Sequence, residues 1–231
     1  MEKKDILMRK IREKLRGNFD IKNIARLQNE HFTIICSNCT AGVIYHSLHL
    51  EFLSPTINMY LNANDFIKLC SNLREYFSLP LSLDDPYKHP QINYPVVKCG
   101  DILLWGVHYK GIEEFERKWR QRIDRIQWDN IFLMMTERDF CTYEDIVRFE
   151  ELDYKKVIFT HKVFPEIKSS IYIPGTYSSD NGIHHTKSLT DYRSKFSGFR
   201  YIDTFDYVHF LNTGERRLMD SYVRKPLRLD S

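Results

Sequence analysis

Two cysteines, Cys36 and Cys39, stand where a β-branched run gives way to an amphipathic one in the stretch FTIICSNCTAGVIYHSL, residues 32–48. A C-x-x-C at a helix start suits dithiol redox chemistry, because the helix N-terminus favours a thiolate. Cys39 alone suits a nucleophile if folding brings a histidine beside it as base. His46 lies about two helical turns from Cys39, so His108 and His161, each just past an expected strand, fit the base role better. Zinc needs four ligands. Cys70, Cys99 and Cys141 are scattered, with no second C-x-x-C, so neither a metal nor another cofactor is expected. Ser37, Asn38 and Thr40 fit either of two tasks, capping the following helix or binding an anion at its backbone amides. Gly42 stands without the additional glycines of a phosphate-wrapping loop.

Two further polar clusters follow apolar runs. Thr136-Glu137-Arg138-Asp139 comes after a run at 131–135, and Thr160-His161-Lys162 after one at 157–159. Ligands of open α/β sheets gather beyond the carboxyl ends of the strands. If the three runs are parallel strands, Asn38, Arg138 and His161 share one rim. Elsewhere, Trp119, Arg122 and Arg125 share faces of one helix, and guanidinium forks suit phosphate. A buried Trp with solvated Arg side chains is the alternative reading. His184-His185 falls in a polar stretch expected to be an exposed loop, a lid candidate.

These residues need elements to hold them. Ile6, Leu7, Ile11 and Leu15 form a narrow apolar stripe among lysines and arginines, which predicts a basic amphipathic helix over 2–16 stopping at Gly17. Residues 1–17 are thus set apart from a single α/β domain over 18–231. HFTIIC and SPTINMYL read as strands, AGVIYHSLHL as a helix, and NANDFIKLCSNLREYF as a helix capped by Asn62 or Asn64. The proline-bearing SLPLSLDDPYKHPQINYP reads as loop, and strands at 96–99 and 102–107 as a hairpin turning at Gly100-Asp101. In GIEEFERKWRQRIDRI, apolar residues recur at steps of three or four, the pattern of a helix with one buried face. NIFLMM, KKVIFT and KSSIYI read as strands, and TYEDIVRFEEL as a helix capped by Thr142. The stretch from Gly175 to Gly198 reads as irregular, before an ordered DTFDYVHFLN. Strands alternating with helices predict a three-layer α/β/α sandwich with a mostly parallel or mixed sheet and one antiparallel hairpin.

Composition narrows the function classes. The chain has 231 residues, 42% hydrophobic and 28% charged, which is globular usage. A net charge of +3 is too even for a general nucleic-acid binder, so no nucleic-acid partner is expected. Five cysteines, an odd number, point to reduced thiols. MEKKDILMRK lacks the apolar core of a signal peptide, and no run is long enough to span a bilayer, so a cytoplasmic location is expected. The basic helix over 2–16 allows peripheral association with the inner face of a membrane; docking on the protein body is the alternative.

The segments SNCTAGVIYHSLHLEFLSPTINMYL, DFIKLCSNL, YPVVKCGDILLWGVHY, KWRQRIDRI, VIFTHK and FDYVHFLN occur in this order over about residues 30–213. With them the chain resembles a bacterial domain-of-unknown-function family described as exopolysaccharide biosynthesis proteins, some of whose members carry acyltransferase labels. The first motif there typically reads Asn-Asn-Cys-Trp/Thr-Gly-Gly, from which Ser37 and Ala41 depart. Motif positions matched here are Asn38, Cys39, Gly42, Tyr45, Asp101, His108, Tyr109, Arg122, Arg138, Thr160, His161 and Asn212. The resemblance implies a three-layer α/β fold and a role in capsule or exopolysaccharide assembly.

Joined to the rim argument, this gives an expected transferase that moves an acyl or glycosyl group onto a carbohydrate or a lipid-linked sugar. His161, His108 and Cys39 are its candidate catalytic groups. Ser37, Asn38, Thr40, Gly42, Tyr45, Arg122, Arg138 and Thr160 are its candidate substrate contacts, to a carbohydrate or an activated sugar or acyl donor. The alternative is a non-catalytic carbohydrate-binding or scaffold subunit of a polysaccharide assembly complex.

Overall fold

A computed structural model describes residues 3–85, 89–180, 183–194 and 197–219. Four strands, β1 (Thr33–Cys36), β5 (Ile131–Thr136), β6 (Lys155–Thr160) and β7 (Ser170–Tyr172), form a parallel sheet in the order β1-β5-β6-β7. Strands β2 (Leu81–Leu83), β3 (Val96–Cys99) and β4 (Ile102–Trp105) form a separate antiparallel sheet. Its β3–β4 hairpin turns at Gly100, whose φ of +60° is open to glycine at little cost. The expected hairpin is therefore present, in a sheet of its own rather than as an intrusion into the parallel one.

Alternation along the parallel strands sends side chains to two cores. Ile35, Leu133, Met135 and Ile158 point to one face and pack with α3 (Ala63–Ser71), α4 (Leu73–Ser78), α5 (Ile112–Ile123), α6 (Tyr143–Glu150) and the antiparallel sheet. Ile34, Cys36, Phe132, Met134, Val157 and Phe159 point to the other, against α1 (Lys3–Arg26), α2 (Thr40–Ser47) and α7 (Tyr207–Thr213). A sheet covered on both faces explains why its strands read as continuous apolar runs. Helices α3 and α6 start on side-chain caps. Thr142 and Asp145 form a reciprocal capping box on α6, and Asn62 accepts from the Asp65 amide at α3.

Three expectations change. Helix α1 runs through Gly17 to Arg26, because its second half buries Arg16, Phe19, Asp20 and Asn23 against the body. Arg16 bonds Asp20, Asp203 and Ser47, and Asn23 donates to Tyr207 Oη at 2.8 Å. The 1–17 boundary thus falls inside a docked helix. The segment 54–61 is mostly turn, with a lone bridge from Tyr60 to Trp105. The stretch after Gly175 contains a hairpin, β8 (Tyr177–Asp180) with β9 (Ile183–Thr186).

Strand β1 is an edge of the parallel sheet, and side chains seal its outer side. The Ile34 amide donates to Tyr45 Oη at 3.1 Å, Tyr45 Oη donates to the Phe32 carbonyl at 3.0 Å, and the Cys36 amide donates to Thr56 Oγ1 at 3.0 Å. These bonds satisfy buried main-chain groups that no neighbouring strand reaches.

Candidate active site

Because β1, β5 and β6 are parallel, the residues after them emerge at one rim. A cleft of about 410 Å³ opens there. Asn38, Cys39, Arg138 and Asp139 line it from the strand ends, and Tyr60 and His108 from the far side. Ser188, Leu189 and Thr190, just past the β8–β9 hairpin, complete its wall. The hairpin is tied down at the same rim, where the Thr186 amide donates to the Glu137 carbonyl at 2.8 Å.

Asn38 is both cap and lining. Its Oδ1 accepts from the Thr40 amide at 3.1 Å and from the Thr40 hydroxyl at 2.7 Å, while Nδ2 donates to Thr136 Oγ1 at 3.0 Å. One side chain thereby joins the ends of β1 and β5 to the start of α2. Cys39 is the N-cap residue of α2 and makes no side-chain cap. Burial raises the pKa of its thiol, Arg138 working against that and Asp139 with it. Cys39 is a thiol at neutral pH and would need a base to act as a nucleophile. Its partner in the C-x-x-C, Cys36, is fully buried, and burial pushes its pKa up to about 11; both cysteines are free. Cys36 behaves as a small core residue.

Arg138 and Asp139 form a part-buried pair, Nε to Oδ2 3.5 Å. Burial raises the pKa of the Asp139 carboxyl, against the lowering influence of Arg138 and His185. A carboxyl held toward its neutral form in a cleft is suited to proton transfer. Asp139 and Phe140 have φ of +55° and +65°, left-handed values that non-glycine residues adopt at a cost. The turn aims Phe140 outward, where it is 85% exposed. Asp139 is the cleft carboxyl for which no role was expected, although it stands in the polar cluster after β5.

His161 sits at the same rim but does not line the cleft. Glu137 Oε2 lies 2.8 Å from its Nδ1 and accepts its main-chain N–H at 2.9 Å. Both side chains are nearly buried, and the Tyr177 ring from β8 lies 5.8 Å from the imidazole. A carboxylate so placed fixes the orientation of an imidazole.

The other expected contacts lie elsewhere. Ser37 is buried, its hydroxyl accepting from the Thr136 amide at 3.3 Å. Thr40 is buried beneath Asn38, and Thr160 is buried with its hydroxyl on the Lys162 carbonyl at 2.7 Å. Gly42 faces Ile57, whose side chain a Cβ would meet at 3.4 Å. Tyr45 belongs to the core and to the β1 seal. Arg122 lines a different groove, with Lys118 and Arg125. No helix among the described residues is long and apolar enough to cross a membrane.

The chain matches a known family model and a relative in sequence. Residues 10–212 match the model of a domain of unknown function, DUF1919. An uncharacterized protein of Haemophilus influenzae is 38% identical over 188 residues, covering 81% of this chain and 87% of that protein.

Proposed function

The chain belongs to the DUF1919 family, and we propose that it is a transferase moving an acyl or glycosyl group onto a carbohydrate or lipid-linked sugar in exopolysaccharide or capsule assembly. The observation that carries this reading is the cleft at the carboxyl rim, where a guanidinium, an imidazole and a carboxyl of raised pKa surround one opening. Arg138 holds the phosphate of an activated donor. His108, exposed on the far wall, takes the proton of the acceptor hydroxyl. The acceptor oxygen bonds to the transferred carbon as that carbon parts from the donor, whose leaving group departs as an anion beside Arg138. Asp139 orients Arg138 and supplies a second proton-transfer group. His161, held by Glu137, is the competing base at the same rim.

The deciding experiment offers labelled nucleotide sugars and acyl thioesters to the protein with sugar acceptors. His108→Ala should lower turnover by about 10²-fold or more while leaving the fold intact. Full activity in both His108→Ala and His161→Ala, each folded, would overturn the base assignment. A wild-type protein that turns over neither donor class yet binds polymer would replace the transferase by the second reading, a carbohydrate-binding subunit. That reading is favoured by one feature, the Phe140 ring presented to solvent beside the cleft as a stacking platform. Membrane association is proposed through α1, where Leu7, Ile11, Leu15 and Ile21 are exposed beside Arg9, Lys10 and Lys14. Leu7→Ser with Ile11→Ser should lower co-sedimentation with anionic vesicles; unchanged sedimentation would dismiss it.

A further inference from the structure

We propose that the groove at the C-terminal end of α5 is a binding site for a phosphate-bearing anion, with Arg122 at its centre. The groove encloses about 340 Å³ and is distinct from the rim cleft. Arg122 forms part of its floor and is only 5% exposed. Its Nη1 donates to the Ile57 carbonyl at 3.2 Å and to Tyr109 Oη at 2.7 Å. Those two bonds use one of its three nitrogens. Nε and Nη2 bond no acceptor among the described residues, so they are the donors that Arg122 can offer in the groove it lines.

The charge balance points the same way. Lys118 is paired with Glu114 at 2.6 Å and Arg125 with Glu51 at 2.9 Å. Among the described residues no carboxylate lies within ion-pair distance of Arg122, so the buried member of the trio is the one left without a counter-charge. A guanidinium that has given up most of its water without a compensating anion is costly. The Phe52 ring, 5.4 Å from its Cζ, offsets only part of that cost.

Phosphate is the anion class that the donors match. Lys118, Arg122 and Arg125 are spaced by four and three residues, so they line one side of the helix end. Glu51, paired with Arg125, lines the groove as well, so the incoming anion must draw Arg125 from it. A multiply charged tetrahedral group can do so, and it suits a planar fork with Lys118 and Arg125 at its sides better than a single carboxylate does. This inference rests on Arg122 and its neighbours and does not depend on the transferase reading.

The test is calorimetric titration with pyrophosphate at constant ionic strength, in an Arg138→Gln background that removes the guanidinium of the rim cleft. Binding should persist in that background, and acetate should bind far more weakly. Arg122→Lys, which keeps the charge and loses the fork, should weaken pyrophosphate about tenfold, as should Lys118→Gln with Arg125→Gln at the groove's edge. The double variant decides the matter if Arg122→Lys fails to fold. Absence of binding in the Arg138→Gln background, equal binding of acetate, or undiminished binding by the folded double variant would overturn the site. Failure of the wild-type protein to turn over any donor while it still binds pyrophosphate in this groove would count against the rim cleft and leave the Arg122 site standing.

Discussion

Replacing Tyr45 by phenylalanine removes one oxygen from a fully buried ring and tests how the edge of the parallel sheet is held. In the wild type that oxygen accepts from the Ile34 amide at 3.1 Å and donates to the Phe32 carbonyl at 3.0 Å. Tyr45, Phe32 and Ile34 are at most 0% exposed, so water has no route to replace the lost partner. Each buried main-chain group left unpaired costs about 1–3 kcal/mol, and two such groups suggest a loss of about 3 kcal/mol once small relaxations are allowed. For a chain of this size that is a fall in Tm of about 6–12 °C. The stacked contact between Phe32 and Tyr45, with ring centroids 5.6 Å apart, survives the change, so packing contributes little to the difference. Urea unfolding monitored by fluorescence and circular dichroism supplies the number. A loss below about 0.5 kcal/mol would refute the reasoning, because it would mean that the Ile34 amide and the Phe32 carbonyl find other partners or were never sealed. The same variant separates structure from binding. If Tyr45 acts only through the sheet edge, folded Tyr45→Phe retains ligand affinity at the rim cleft.

Gly198→Ala should displace α1. A Cβ there would lie 2.8 Å from both the Arg16 amide nitrogen and Leu15 Cβ and 3.0 Å from the Arg12 carbonyl, and such overpacking costs about 1–3 kcal/mol. Wild-type stability in this variant would mean that α1 does not pack where described. Asp206→Asn tests a titration. Burial raises the pKa of this carboxyl, but Arg26, the His209 amide and Arg217 hold it below the usual range. Its stabilisation is therefore present above the unfolded carboxylate pKa, about 3.9, and is lost as pH falls through the lower folded value. The stability gap between wild type and Asp206→Asn should be widest near neutral pH and close in acid. A gap that stays constant across pH would remove the charge from the explanation.

The elements that were legible in the sequence are those whose pattern is local. Phe115, Trp119 and Ile126 recur at helical spacing and are buried, and Thr142 and Asp145 form the box that their spacing allows. The strands before Ser37, Arg138 and His161 carry apolar runs because helices or sheet cover both of their faces, and their parallel pairing makes the shared rim. What misled was local pattern serving a distant partner. SPTINMYL looks like a strand, yet Thr56 spends its hydroxyl on the Cys36 amide and only Tyr60 pairs, with Trp105. The β8–β9 hairpin carries Tyr, Ser, His and Thr rather than alternating apolar residues, so periodicity gave no sign of it. Gly17 would stop an isolated helix, but the ion pairs of Arg16 carry α1 past it. The cleft is partly built by Tyr60, Ser188 and Thr190, ordinary residues brought in by long-range folding. Tyr45 and Thr160 illustrate the reverse, motif positions that hold the scaffold and not the opening.

Helix α1 is made long before several of the residues that satisfy it. Arg16 waits for Asp203, 187 residues further along, Asn23 for Tyr207 and Arg26 for Asp206. At a synthesis rate of about 5–20 residues per second, the helix spends roughly ten to forty seconds outside the ribosome before those partners exist. Throughout that interval Phe19 lacks the Phe199 ring that packs on it, while Arg16 and Asp20 can still neutralise one another within the helix. A nascent chain halted before Asp203 would therefore carry an unclosed seam along α1, which closes only when Asp203, Asp206 and Tyr207 arrive.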